Sequence, residues 1–92
     1  MQIIREETYI SNLEPILEYI AQDSFNKAFD FLSKLDNKIT NIVNMPYKYR
    51  QSLYYNDTNI RDLIFKGYTI IYIIDLENKT IAIIDIFKWI NK

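Results

Sequence analysis

The sequence predicts an α+β domain in which an N-terminal strand and an antiparallel helical hairpin precede a mainly antiparallel sheet of three to four strands, with the hairpin packed on one sheet face. Three observations predict it. Residues 59–87, NIRDLIFKGYTIIYIIDLENKTIAIIDIF, are crowded with Ile, Tyr and Phe and bend only around Lys66-Gly67 and Glu77-Asn78-Lys79, which reads as three antiparallel strands in succession. Two upstream stretches repeat apolar residues with helical period. Only Gln22, Asp23 and Ser24 separate those stretches, so the two helices must fold back on each other.

The elements follow in order. Gln2, Ile3, Ile4 and Arg5 make a short β-prone run. Leu13, Ile16, Leu17, Ile20 and Ala21 then share one helical face. Ser11 and Glu14 have capping-box spacing, and Pro15 is best tolerated in a first turn, so the first helix is expected to start near Ser11 or Asn12, with a kinked start near Tyr9 as the alternative. Asp23-Ser24 offers a second N-cap, and Ala28, Phe31, Leu32, Leu35, Ile39, Ile42 and Val43 carry a helix over residues 25–43, where Asn44 and Pro46 stop it. After the loop MPYKYRQSLYYNDTN, residues 60–66 alternate imperfectly, while 68–75 and 81–87 are nearly all apolar. Near-continuous apolar strands are covered on both faces, which places the last two in the middle of the sheet.

Composition narrows the function classes. The 92 residues read as a single domain, 1–92, with 49% hydrophobic and 25% charged side chains, an ordinary globular balance. With no cysteine, neither disulfides nor thiolate metal sites are available; with no histidine, the usual general base and metal ligand are missing too. No apolar run is long enough to span a bilayer, and Arg5, Glu6 and Glu7 interrupt the N-terminus where an export signal would be apolar, so a cytoplasmic location without membrane attachment is expected. The net charge of −1 argues against unspecific nucleic-acid binding. Residues 1–45 hold four basic and seven acidic side chains and 46–92 hold seven and five, so the charge swings from −3 to +2 and an anionic partner would meet the second half.

Several residues are candidates for contact. Arg61 sits among apolar strand residues and suits either a phosphate or a carboxylate partner, with Asp62, Asp75 and Asp85 at hand. Tyr47, Lys48, Tyr49 and Arg50 interleave rings with cations, which fits nucleic acid, a protein interface, or a plug at the end of the core. Gly67, the single glycine, reads as a turn residue with positive φ. Lys66, Lys88 and Trp89 complete the set; Trp89 either packs back on the domain or joins a contact surface. Asp75 reads as a strand end and Asp85 as a partner of Arg61; nothing makes them an acid/base pair.

Leu17-Glu18-Tyr19-Ile20-Ala21 followed by Ser24, Met45-Pro46-Tyr47 ahead of Arg50, Ile60-Arg61-Asp62-Leu63 leading to Lys66-Gly67-Tyr68-Thr69-Ile70-Ile71-Tyr72, and the closing strand at 81–87 occur in an order and spacing that resembles the RelE/ParE superfamily of small bacterial toxins over essentially the whole chain. The resemblance implies a type II toxin–antitoxin toxin, associated with growth inhibition and plasmid stabilisation and silenced by a cognate antitoxin. RelE-like members cut messenger RNA on the ribosome, whereas ParE-like members poison DNA gyrase. The ribonuclease branch places an arginine directly after the Gly-Tyr pair, another beyond the last strand, and a Tyr or His near the C-terminus; here Thr69 and, approximately, Trp89 hold the first two places and nothing beyond Trp89 supplies the third. Cleavage would need cations and a proton-transfer group at the phosphate. The resemblance therefore implies a ParE-like protein-binding toxin, leaning away from an enzyme, without cofactor, metal or catalytic residue. Its antitoxin is the expected partner, DNA gyrase a possible target and nucleic acid a weaker one. Tyr47, Lys48, Tyr49, Arg50, Arg61, Lys66, Lys88 and Trp89 are the expected contacts with target or antitoxin. An RNA-cleaving member with unusual residues, or an inactive one kept for protein interaction, are the alternatives.

Overall fold

A computed structural model describes residues 1–88; Trp89 lies outside them. The chain runs β1 (Gln2–Arg5), α1 (Glu7–Asp23), α2 (Phe25–Thr40), a 3₁₀ turn (Asn41–Asn44), β2 (Arg50–Gln51), β3 (Ile60–Phe65), β4 (Tyr68–Asp75) and β5 (Thr80–Lys88). The strands form one sheet in the order β1-β5-β4-β3-β2. All neighbours are antiparallel except β1, which runs parallel to β5. The expected α+β fold is present, and the two-residue β2 brings the described strands to five. The apolar strands β4 and β5 are both interior, as their lack of alternation requires.

The helical hairpin covers one face. Leu13 of α1 and Phe31, Leu35 and Ile39 of α2 meet Leu63, Phe65, Ile70, Tyr72, Ile74, Ile81, Ile83 and Ile86 in a continuous core. Phe31 anchors the β3–β4 end, its ring 5.3 Å from Phe65 and 5.6 Å from Tyr68. Ser24 caps α2 by accepting from the Lys27 amide at 3.3 Å, as its position in the sequence suggests. The second helix stops at Thr40, short of the expected Val43, because its last turn tightens to 3₁₀. That turn still buries Ile42.

The first helix departs from the capping-box expectation. It starts at Glu7, four residues before Ser11, with no side-chain cap on Glu6. The reason is Tyr9, which falls one turn before Leu13 on the core face and is fully buried; an extra turn of helix is what delivers it there. Pro15 consequently lies inside the helix and cannot donate to the Ser11 carbonyl. Both residues are exposed, so water can reach that carbonyl.

The hairpin turns use the expected chemistry. Lys66 and Gly67 both have positive φ, 49° and 83°, as a tight two-residue β-hairpin demands. Asp75 ends β4 and accepts from the amide and side chain of Asn78, which holds its carboxyl below the usual range. A bulge in β5 sets Ile71 opposite Asp85 but Tyr72 opposite Ile83, leaving Ile84 unopposed. There Asp85 takes a 2.7 Å bond from Asn12 of α1 rather than pairing with Arg61 as expected.

Two outcomes test this packing. Pro15→Ala restores a helical donor and should stabilise the fold by about 1–3 kcal/mol in urea titration, whereas Leu35→Ala should cost about 2–5 kcal/mol. Burial, with Asp36 adding repulsion and Arg5 opposing it, pushes the Tyr9 hydroxyl up from 10.0 to about 12. The folded chain thus holds this proton more tightly than the unfolded one, so stability is intact below pH 10 and falls as pH rises from about 10 to about 12. Tyr9→Phe should flatten that stretch of the stability–pH curve by roughly 2–3 kcal/mol.

Candidate functional site

The candidate residues fold into separate groups. Because β3 pairs Arg61 with Tyr72 and Asp62 with Ile71, the alternation of the strand sends Arg61 to the helix side and Asp62 to the opposite face. On the helix side, beyond the end of α2, Arg61 is held by three contacts. Its Nε donates to the Thr58 carbonyl at 2.9 Å, an Nη donates to the Tyr49 carbonyl at 3.1 Å, and the guanidinium lies over the Tyr47 ring at 4.9 Å from the centroid. Tyr47 bonds Asn59 at 2.7 Å, and the buried Tyr72 hydroxyl donates to the Pro46 carbonyl at 2.6 Å. Burial raises the Tyr72 hydroxyl well above its ordinary value, so it acts as a permanent donor. Tyr49 packs against the end of the core, Tyr47 stays 43% exposed, and Arg61 serves carbonyl groups of the loop instead of the carboxylates weighed for it.

Arg50 belongs to the other face. It lies opposite Asp62 and contacts it at 3.3–3.4 Å, while the Leu53 amide donates to the same carboxylate oxygen at 3.1 Å. Asp62 is only 1% exposed, and among the described residues its second oxygen has no partner. This carboxylate ties the chain after β2 back onto the sheet, where Tyr54 stacks edge-on against Phe87 at 5.1 Å.

Lys66 and Lys88 lie at the opposite end of the sheet from Arg61. Lys66 is in the β3–β4 turn with its ammonium 5.7 Å from the Phe65 ring centre, and Lys88 pairs with Tyr68 and lines a groove with Asn12, Ile16 and Phe87. Four to five residues of strand separate this end from Arg61, roughly 15 Å. Lys48 stands between, its ammonium 5.7 Å from the Tyr49 ring. Thr69, next after the Gly-Tyr pair, faces away from the helices, fully buried and without a hydroxyl partner among the described residues. No cluster of acidic groups among the described residues converges to hold a metal ion, and none of their helices is long and apolar enough to cross a membrane.

One surface was missed in the sequence. Phe25 and Phe29 project from α2 with 76% and 67% exposure beside Leu17, Ala21 and Leu32, and together they line an apolar groove across the hairpin. The signal was present: Phe25 and Phe29 are spaced i, i+4 and fall outside the Phe31–Leu35–Ile39 core stripe. Substituting Arg61 by Ala removes two bonds and the ring contact, so urea titration should show a loss of about 1–3 kcal/mol, which Arg61→Lys fails to restore.

Comparison with known proteins bears on what this arrangement serves. No curated protein sequence matches the chain. A solved structure described as the chromosomal ParDE TA system from P. aeruginosa shares the fold, with a TM-score of 0.76 over 98% of this chain and 97% of that one at 13% identity. The family model for the ParE toxin of type II toxin–antitoxin system, parDE, matches residues 3–88, and the chain belongs to that family.

Proposed function

We propose that this ParE-family toxin arrests growth by binding a protein target, DNA gyrase being the foremost candidate, and that a cognate antitoxin silences it. The observation that carries a protein-binding role is the groove of Leu17, Ala21, Phe25, Phe29 and Leu32, two rings of which stand open to solvent. Apolar surface of this kind is stabilised by a partner that removes it from water. It suits the apolar face of an antitoxin helix, whose anchors at i, i+3 and i+4 would fall between the rings.

Thr69 favours binding over RNA cleavage. The position after Gly-Tyr, where the resemblance puts an arginine in the ribonuclease branch, is 0% exposed and carries an uncharged hydroxyl. A buried neutral group there offers a scissile phosphate neither charge nor access. Tyr47, Lys48, Arg61, Lys66 and Lys88 remain contact residues in this proposal, and their separation around the molecule suits broad protein surfaces better than one compact active site.

Induction of the chain alone should stop growth with filamentation and intact messenger RNA, and co-expression of the antitoxin should relieve it. Phe25→Glu with Phe29→Glu replaces exposed side chains, so folding should persist while antitoxin affinity falls by more than tenfold in calorimetry. Codon-associated cuts in messenger RNA would overturn the binding role, and unaltered affinity of the double variant would remove the groove from it.

A further inference from the structure

The first helix lies between two grooves. Leu17, Glu18 and Ala21 line the Phe25–Phe29 groove on one side, while Pro15, Ile16 and Tyr19 border a second groove on the other, which α1 forms with the sheet where β4 begins and β5 ends. Strand register builds its floor. Tyr68 and Ile86 pack toward the helices, and Lys88, opposite Tyr68 and two residues beyond Ile86, shares their face. The β5 bulge turns Asp85 toward α1, where Asn12 donates to it at 2.7 Å and pins the helix to the strand beside the groove.

This groove has the size and lining of a small-molecule site. It encloses about 650 Å³, within the roughly 300–1,000 Å³ that such sites span. Most of its lining is apolar or aromatic. The Tyr68 ring is held edge-on by Phe31 at 5.6 Å, so one wall is set before any ligand arrives, and Tyr19, 71% exposed, supplies a second ring from the helix. Two polar groups stand out in the lining. Asn12 commits its Nδ2 to Asp85, which leaves its Oδ1 as an acceptor. Lys88 has no salt-bridge partner among the described residues, and no carboxylate lines the groove. Asp85 stands behind Asn12, one oxygen taking both the Asn12 and the Ile86 N–H.

We propose that this groove binds a small planar aromatic anion, a flat ring system carrying a single acidic group. The ring lies against Tyr68 and Tyr19, and the acidic group meets the Lys88 ammonium. A ring N–H donating to Asn12 Oδ1 fixes its direction. The lone lysine sets the charge: one ammonium balances a carboxylate or a monophosphate, whereas a polyphosphate or a nucleic-acid strand calls for further cations that the lining lacks. Purine monophosphates and indole carboxylic acids share this chemistry. The site is separated by α1 from the Phe25–Phe29 groove, and it stands whether or not gyrase is the target.

A ¹⁵N-labelled full chain titrated with adenosine monophosphate and, separately, with indoleacetate tests the site, with adenosine and tryptamine as the uncharged and cationic comparisons. At least one anion should shift the Asn12 side-chain amide and the Ile86 and Lys88 backbone signals, and should bind more tightly than the comparison that shares its ring. Whichever anion binds tighter separates a nucleotide from an aromatic acid. Lys88→Gln should weaken that anion about tenfold, and Tyr19→Ala about fivefold. Both side chains are outside the core, so both variants should fold. Phe25→Glu with Phe29→Glu should leave the binding unchanged, since those rings line the groove on the other side of α1. Binding of neither anion at millimolar concentration, comparisons that bind as well as the anions, or unchanged affinity of either groove variant would overturn the proposal.

Discussion

The strand β4 has to be dry on both faces although the fold has a single helical layer. Tyr68, Ile70, Tyr72 and Ile74 meet the hairpin, while Thr69, Ile71 and Ile73 face the other way, and Thr69 and Ile71 are buried there as well. That second face is helped by the chain after β2, which turns back over the sheet. The Asp62 carboxylate holds it there through Arg50 and the Leu53 amide. Placing a carboxylate at such depth costs desolvation that one ion pair and one amide bond offset only in part. The arrangement suits a tether better than a stabilising pair, since loss of Arg50, itself partly exposed, would leave the buried Asp62 charge uncompensated.

Much of this was legible in the residues. Periodicity placed both helices, and the Ile-rich runs placed β4 and β5 at the middle of the sheet, because each signal is a pattern within one element that can be read without knowing what covers it. The misreadings have a common origin in contacts between distant residues. Tyr9 extends α1 beyond its apparent cap because of a core it shares with strands far along the chain. The bulge at Ile84 redirects Asp85 to Asn12, and no local pattern in a run of isoleucines announces a bulge. β2 is two residues long and depends on the Asp62 register.

The candidate site was legible only as a set of residue types. Tyr47, Tyr49 and Arg61 do come together, yet they brace one another and the loop carbonyls. Arg50 turns to the opposite face because strand alternation assigns it to Asp62, while Lys66 sits in the β3–β4 turn and Lys88 ends β5 opposite Tyr68, both at the far end. The chain belongs to the ParE toxin family, and Thr69, next after the Gly-Tyr pair, is fully buried. Phe25 and Phe29 gave themselves away only once the core stripe of α2 was known, since an aromatic at helical spacing is core on one face and contact surface on the other.

Supercoiling of relaxed plasmid by purified gyrase, with the purified chain added before ATP, tests the protein-binding role most directly. Supercoiling should fall with increasing chain and recover when antitoxin is mixed in first. Unimpaired supercoiling at the highest chain concentration, with messenger RNA cut on ribosomes by the same preparation, would contradict it.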